Sequence, residues 1–235
     1  MLFRFLPLLT ANPLLFVQLV TATVGSLLLA VTVHEASHAL VAAWQGDNTA
    51  RSLGRLSLNP LRHLDPVGSL ALLFVGFGWG KPVPVNPYRL RDGVKAGGAL
   101  VSLAGPAANL LTASLVALPV RLGLVSWHSP FAYTPFAQVT LGWITADVIG
   151  LVIFYNIILG VFNLLPIAPL DGFKVALGLL PNQMAYSFAR LEPYGPGILM
   201  ILVLLAYLPI VNFSLWDILG PVVSVVSLVV VGRPI

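Results

Sequence analysis

Cysteine is absent from this 235-residue chain, which rules out disulfides and thiolate metal ligands. Charge is nearly as scarce: 9% of the residues are charged, against roughly 25% in ordinary soluble domains. A chain with so few charges cannot cover itself with polar surface, so a soluble globular protein is excluded. The twelve Lys and Arg form no concentrated basic patch. They are scattered through loops that flank apolar runs, so the net charge of +4 does not signal a nucleic-acid partner. What the chain has instead is apolar sequence, 58% of it, in runs long enough to cross a bilayer. These features predict an all-α polytopic membrane protein whose first partner is the lipid bilayer.

Inside one of those runs, residues 14–44, stands His34-Glu35-Ala36-Ser37-His38. Ionisable side chains are costly in a lipid-facing helix, so a cluster of them there points to function. Positions i and i+4 share a helix face. His34 and His38 can therefore aim their imidazoles at a common centre, with Glu35 beside it. Two imidazoles and a flanking carboxylate suit a zinc hydrolase, as two neutral ligands and a base for the metal's water. The bland alternative is two buried histidines bonded to neighbouring helices. The chain has four His and two Glu, however, and three of those six fall in one five-residue window, which favours the metal.

The rest of the chain is read in order. Residues 1–13, broken by Pro7 and Pro13, form an interfacial entry, and the apolar run after them reads as a retained signal anchor. Residues 14–44 make a helix of about 46 Å, longer than the hydrocarbon core. Residues 45–66 are a polar loop, punctuated by Asn59-Pro60 and Asp65-Pro66. Residues 67–78 are too few to span and read as re-entrant. The segment Gly80-Lys81-Pro82-Val83-Pro84-Val85-Asn86-Pro87 alternates proline with residues that keep their amides. That suits an edge strand able to receive a substrate strand at Val83 and Val85, or equally a rigid loop. Spans are expected at 97–118 and 140–165, and closing helices at 197–208 and 215–231. Loops 45–66, 79–96 and 166–196 carry nine cations, whereas Arg4 and Arg121 lie on the other side. The asymmetry predicts an external N-terminus and a cytoplasmic C-terminus at Arg233.

A catalytic zinc usually takes a third protein ligand. Asp171 fits by depth: it lies as far beyond Asp147, at the outer interface, as His38 lies beyond the start of its own run. Its rival role is to cap the short helix that follows Pro169-Leu170-Asp171-Gly172. His63 is a rival ligand, better read as locking its loop, and His128 belongs to the opposite face. Asn109 and Asn163 are buried amides, available either for helix–helix bonding or for contact with substrate or an oxyanion.

The chain resembles the site-2 proteases, which are intramembrane zinc metalloproteases. The resemblance rests on His34-Glu35-x-x-His38, Gly105-Pro106-Ala107-Ala108-Asn109, and Asn163-x-x-Pro166-x-x-Pro169-Leu170-Asp171-Gly172. Gly54-Arg55-Leu56-Ser57-Leu58-Asn59-Pro60 and the proline-alternating segment look like the compact prokaryotic branch without PDZ or CBS domains. It implies one zinc per chain, bound by His34, His38 and Asp171, with Glu35 as acid and base. It also implies that a proline-rich hairpin and Asn163 hold an unwound, membrane-anchored protein or peptide substrate. The opening of the third motif departs from the family's Asn-Pro-x-Pro.

The expected architecture has about five to six transmembrane helices, a re-entrant segment and a short membrane-associated β-hairpin. It forms a single domain over 1–235, with a catalytic core at about 14–180 and closing helices at about 197–231. The expected place is the cytoplasmic membrane of a prokaryote, with the site nearer the cytoplasmic face, and nothing indicates an oligomer. The rival functions are a metal or ion transporter and a metal-bound scaffold without activity. A transporter would spread acids and histidines along a path, and a scaffold would not need Glu35.

Overall fold

In a bilayer the backbone has no water to bond, so a crossing segment must satisfy its own N–H and C=O groups. The apolar runs of this chain do so as helices. A computed structural model describes residues 6–74, 78–129, 140–205 and 215–233. In order, the helices are α1 (Leu6–Ala11), α2 (Pro13–Trp44), α3 (Thr49–Ser52), α4 (Pro66–Phe74), α5 (Gly93–Val116), α6 (Leu118–Arg121), α7 (Leu141–Asn163), α8 (Asp171–Leu179), α9 (Asn182–Ala189), α10 (Gly195–Leu205) and α11 (Leu215–Val231). α2 starts where the sequence punctuates it. Asn12 accepts the Leu15 amide at 3.2 Å, and Pro13 occupies the first turn, where its missing N–H costs nothing.

The long helices α2, α5 and α7 pack together and carry the polar groups described below. Behind them, α11 packs on α5 and α7 through Ala113, Ile153, Ile157, Leu219 and Val223, all buried. Proline inside α5 removes a helical hydrogen bond, and Pro106 lies buried where neighbouring helices surround it.

Among the described residues, four helical runs are long and apolar enough to cross a membrane: Pro13–Trp44, Gly93–Val116, Leu141–Asn163 and Asn182–Leu205. Leu215–Val231 is shorter. That is fewer than the five to six expected, and the fourth run contains a tight turn at Glu192–Tyr194. α4 has nine residues, about 14 Å at 1.5 Å per residue, short of a span. The remainder of the expected re-entrant segment, 75–77, lies outside the described residues, as do 206–214 between the closing helices.

Two expectations are corrected. No sheet forms among the described residues, so the β-hairpin is absent there; residues 81–86 run extended, and one antiparallel bridge joins Leu64 to Gly80. Pro82, Pro84 and Pro87 strip out the donors that a ladder would need. The C-terminal end also lies on the side opposite to the one expected. Arg121 donates to the Val229 carbonyl, and Arg233 shares a cavity with Val120, Gly123 and His128. The chain therefore ends beside the α6 end of the bundle, away from the loops that hold most of the cations.

Candidate metal centre

One turn of α2 separates His34 from His38, and their ring centroids stand 4.6 Å apart. Asp171 opens α8, one residue after Leu170 at the cap position. Its Oδ2 lies 3.0 Å from His34 Nε2 and 3.2 Å from His38 Nε2. The depth argument from sequence thus brought together groups 137 residues apart. Among the described residues this is the one group of three or more His, Asp or Glu able to share a cation.

The outer nitrogens settle what faces the centre. Asn109, 0% exposed, donates its amide N–H groups to the Ala30 carbonyl and to Asn156 Oδ1, each at 2.9 Å. A backbone carbonyl can only accept, so Asn109 must turn its own oxygen to His34 Nδ1, at 2.6 Å. His34 Nδ1 is then the protonated nitrogen. In the same way His38 Nδ1 donates to the Val101 carbonyl at 2.7 Å. In neutral imidazoles both Nε2 atoms therefore point bare lone pairs at a carboxylate oxygen. Three acceptors at hydrogen-bond distance with no hydrogen among them repel each other unless a cation sits between them. Ligand imidazoles held by their other N–H are the arrangement that metal sites use.

The spacing also fits. Tetrahedral zinc with bonds of about 2.0–2.1 Å separates its donors by about 3.3 Å. An ordinary aspartate titrates at about 4, and Asp171 presents Oδ2 to both imidazole nitrogens. An anionic donor is thus present at neutral pH.

Gly105 makes room for the site. A Cβ there would stand 2.5 Å from His38 Nε2 and 2.7 Å from His34 Nε2, so only glycine lets α5 pass. In the sequence it stood out only as the first residue of Gly105-Pro106-Ala107-Ala108-Asn109.

Glu35 is half-buried on the neighbouring face of α2, with Oε1 3.6 Å from where a Cβ on Gly80 would sit. The expected substrate residues are distributed differently. Asn109 is spent on the imidazole. Asn163 bonds back to Leu159 of its own helix at 2.9 Å. Val83 and Val85 are half-buried, with no backbone hydrogen bond among the described residues, and Val85 packs against the cluster of Ala42, Leu90 and Val101. His63 is fully buried and donates through Nε2 to the Ser57 carbonyl at 2.7 Å, apart from the metal group. His128 pairs with Asp147 near the other end of the bundle.

The comparisons agree with this site. The chain is 36% identical over 195 residues, 83% of its length and 84% of the relative's, to a Bacillus subtilis protein named "Putative zinc metalloprotease YwhC". It is also 31% and 30% identical to proteins named "Putative zinc metalloprotease Rip2" from Mycolicibacterium smegmatis and Mycobacterium tuberculosis, over 86% of this chain and 73% of each relative. This chain belongs to the site-2 protease family. Zinc is the metal that fits, and His34, His38 and Asp171 form a group that could bind it. No family model matches the chain, and no solved structure gives a significant match. As in other site-2 proteases, apolar helices make it a membrane protein, and the relatives are bacterial.

Proposed function

We infer that the chain is an intramembrane zinc metalloprotease that cleaves peptide bonds in or near the transmembrane segments of membrane-anchored proteins. The observation that carries the reading is the pair of outward-protonated imidazoles, with bare nitrogens facing an ionised Asp171, and Glu35 one residue along. His34, His38 and Asp171 are the zinc ligands. When bound there, zinc supplies Lewis-acid activation of water and of the scissile carbonyl.

The remaining roles belong to the chain. Glu35 takes a proton from the attacking water and returns it to the leaving amine. Asn109 and the Val101 carbonyl keep the two imidazoles in the ligating tautomer. A transmembrane substrate hides its carbonyls in helical hydrogen bonds, so it must open locally to be cut. The extended stretch 81–86 offers unpaired main chain at Val83 and Val85 for that, and Asn163 stands at the end of α7, before the turn leading to Asp171. Residues 1–235 act as one membrane domain, with the core at about 14–180. The nine cations around the loops that flank the site put it nearer the cytoplasmic face of a prokaryotic inner membrane.

The test is a membrane-anchored reporter incubated with the purified full chain. Wild-type protein should cut it, and Glu35→Gln should keep its zinc and lose about 10²–10⁴-fold in rate. Full activity in Glu35→Gln removes the proposed base. Zinc flux into liposomes without any proteolysis would establish the transporter instead.

A further inference from the structure

The loop between α2 and α4 holds two buried charges that the mechanism above does not use. Arg55 is 5% exposed, donates to the Lys81 carbonyl, and keeps a buried Nε with no partner. Asp47 is fully buried and accepts the Asn86 amide at 2.6 Å through Oδ2, while Thr49 occupies its other oxygen through both amide and hydroxyl. Lys81 and Asn86 are the two ends of the extended stretch. At the first end, the Lys81 amide also donates to the His63 carbonyl at 2.8 Å, next to the Leu64–Gly80 bridge. A Cβ built on that same Gly80 would stand 3.6 Å from Glu35 Oε1, so Gly80 is a neighbour of Glu35. Between the ends, Pro82 and Pro84 have no donors, and the backbone groups of Val83 and Val85 make no hydrogen bond among the described residues.

A buried guanidinium is costly unless its surroundings compensate it, and so is a buried carboxylate. A loop that needed only to be rigid could be closed by neutral side chains. Here one charge of each sign is spent on opposite ends of a six-residue stretch. Each takes up a main-chain group, and neither touches the groups in between. The result is an extended stretch anchored at both ends, with Val83 and Val85 left unpaired among the described residues and its first end following Gly80, the neighbour of Glu35.

We propose that Arg55 and Asp47 are positioning residues, which hold residues 81–86 as a rigid, open edge for an unwound substrate in fixed register with Glu35. The proposal rests on the protease reading above. It assigns the two residues to substrate alignment and to neither zinc binding nor proton transfer.

The test uses full-length protein in lipid nanodiscs, with Arg55→Gln, Asp47→Asn and the conservative Arg55→Lys. The first arm is amide hydrogen exchange, which does not depend on activity. Arg55→Gln should speed exchange at Lys81, and Asp47→Asn at Asn86, with zinc stoichiometry unchanged. A second arm measures reporter cleavage: KM should rise about tenfold in both variants while kcat stays within about twofold, and Arg55→Lys should recover part of the loss. Unchanged exchange at both amides overturns the anchoring, whatever the kinetics. A fall in kcat at constant KM, or loss of zinc, overturns the alignment role. A wild-type protein that cuts no reporter sinks the protease reading and with it the alignment role, and leaves the exchange arm to decide whether the anchors exist.

Discussion

Among the described residues, histidine meets aspartate in two places, one at each end of the bundle, and the two are chemically different. At one end, His128 Nδ1 faces Asp147 Oδ1 at 2.7 Å and its ring lies against Trp143, with centroids 4.4 Å apart. The imidazole can simply give its N–H to the carboxylate, and the contact is complete. At the other end, His34 and His38 have already given their Nδ1 protons to Asn109 and Val101, so what they turn to Asp171 are lone pairs. Proximity of His to Asp does not by itself make a metal site. The fate of the proton on the far nitrogen does.

The sharpest way to break the comparison is to remove one partner at each end. Asp171→Ala should abolish zinc binding and, with it, reporter cleavage; retained stoichiometric zinc would return Asp171 to the cap of α8. His128→Asn should leave zinc and activity within about twofold and cost about 1 kcal/mol of stability, the scale of one hydrogen bond. A large loss of activity there would mean the two ends are not distinct. Next in size is Gly105→Ala, whose methyl would enter the space of the imidazole nitrogens. Overpacking of this kind costs about 1–3 kcal/mol, and zinc loading should fall at the same time, as metal analysis after mild heating would reveal.

Asn109→Leu should weaken zinc about 10–100-fold without removing it, because an outer partner orients a ligand and does not replace it. Competition with a chelator reads this directly, and unchanged affinity would deny the tautomer argument. The smallest effect concerns acidity in the loop. Burial works against the charge on Asp47, yet the Thr49 hydroxyl, the Asn86 amide and the Thr49 amide, with Arg89 nearby, hold its pKa below the ordinary value. A folded-state pKa depressed in this way gives stability that is complete above the unfolded value and is lost as pH falls through the lower folded value. Lowering the pH from 7 to about 5 should therefore leave protection of the Asn86 amide unchanged, since ordinary aspartate titrates near 4.

Much of this was legible in the sequence because helix geometry is local. The i, i+4 histidines needed only one turn of α2, and Asp171 followed from counting depth along two helices that run the same way. The proton relay was not legible, because Asn109 reaches His34 across 75 residues and His38 reaches Val101 across 63. Asn156, which completes that relay, looked like any other polar residue in an apolar run. The 80–87 stretch read equally well as an edge strand or a rigid loop, with a hairpin implied by the resemblance; the prolines that suggested an edge also remove the donors a ladder among the described residues would need. A single arginine was too weak a signal for the C-terminal side: Arg233 lines a cavity with Val120 and His128, Arg121 bonds to the Val229 carbonyl, and packing of α11 sets its direction.

The most direct measurement is zinc-edge X-ray absorption on the purified full-length protein. The account predicts one zinc per chain with two imidazole nitrogens at about 2.0–2.1 Å and oxygen donors completing four-coordination, one imidazole being lost in His38→Ala. A spectrum with no imidazole, or with the same shell after His38→Ala, would contradict it.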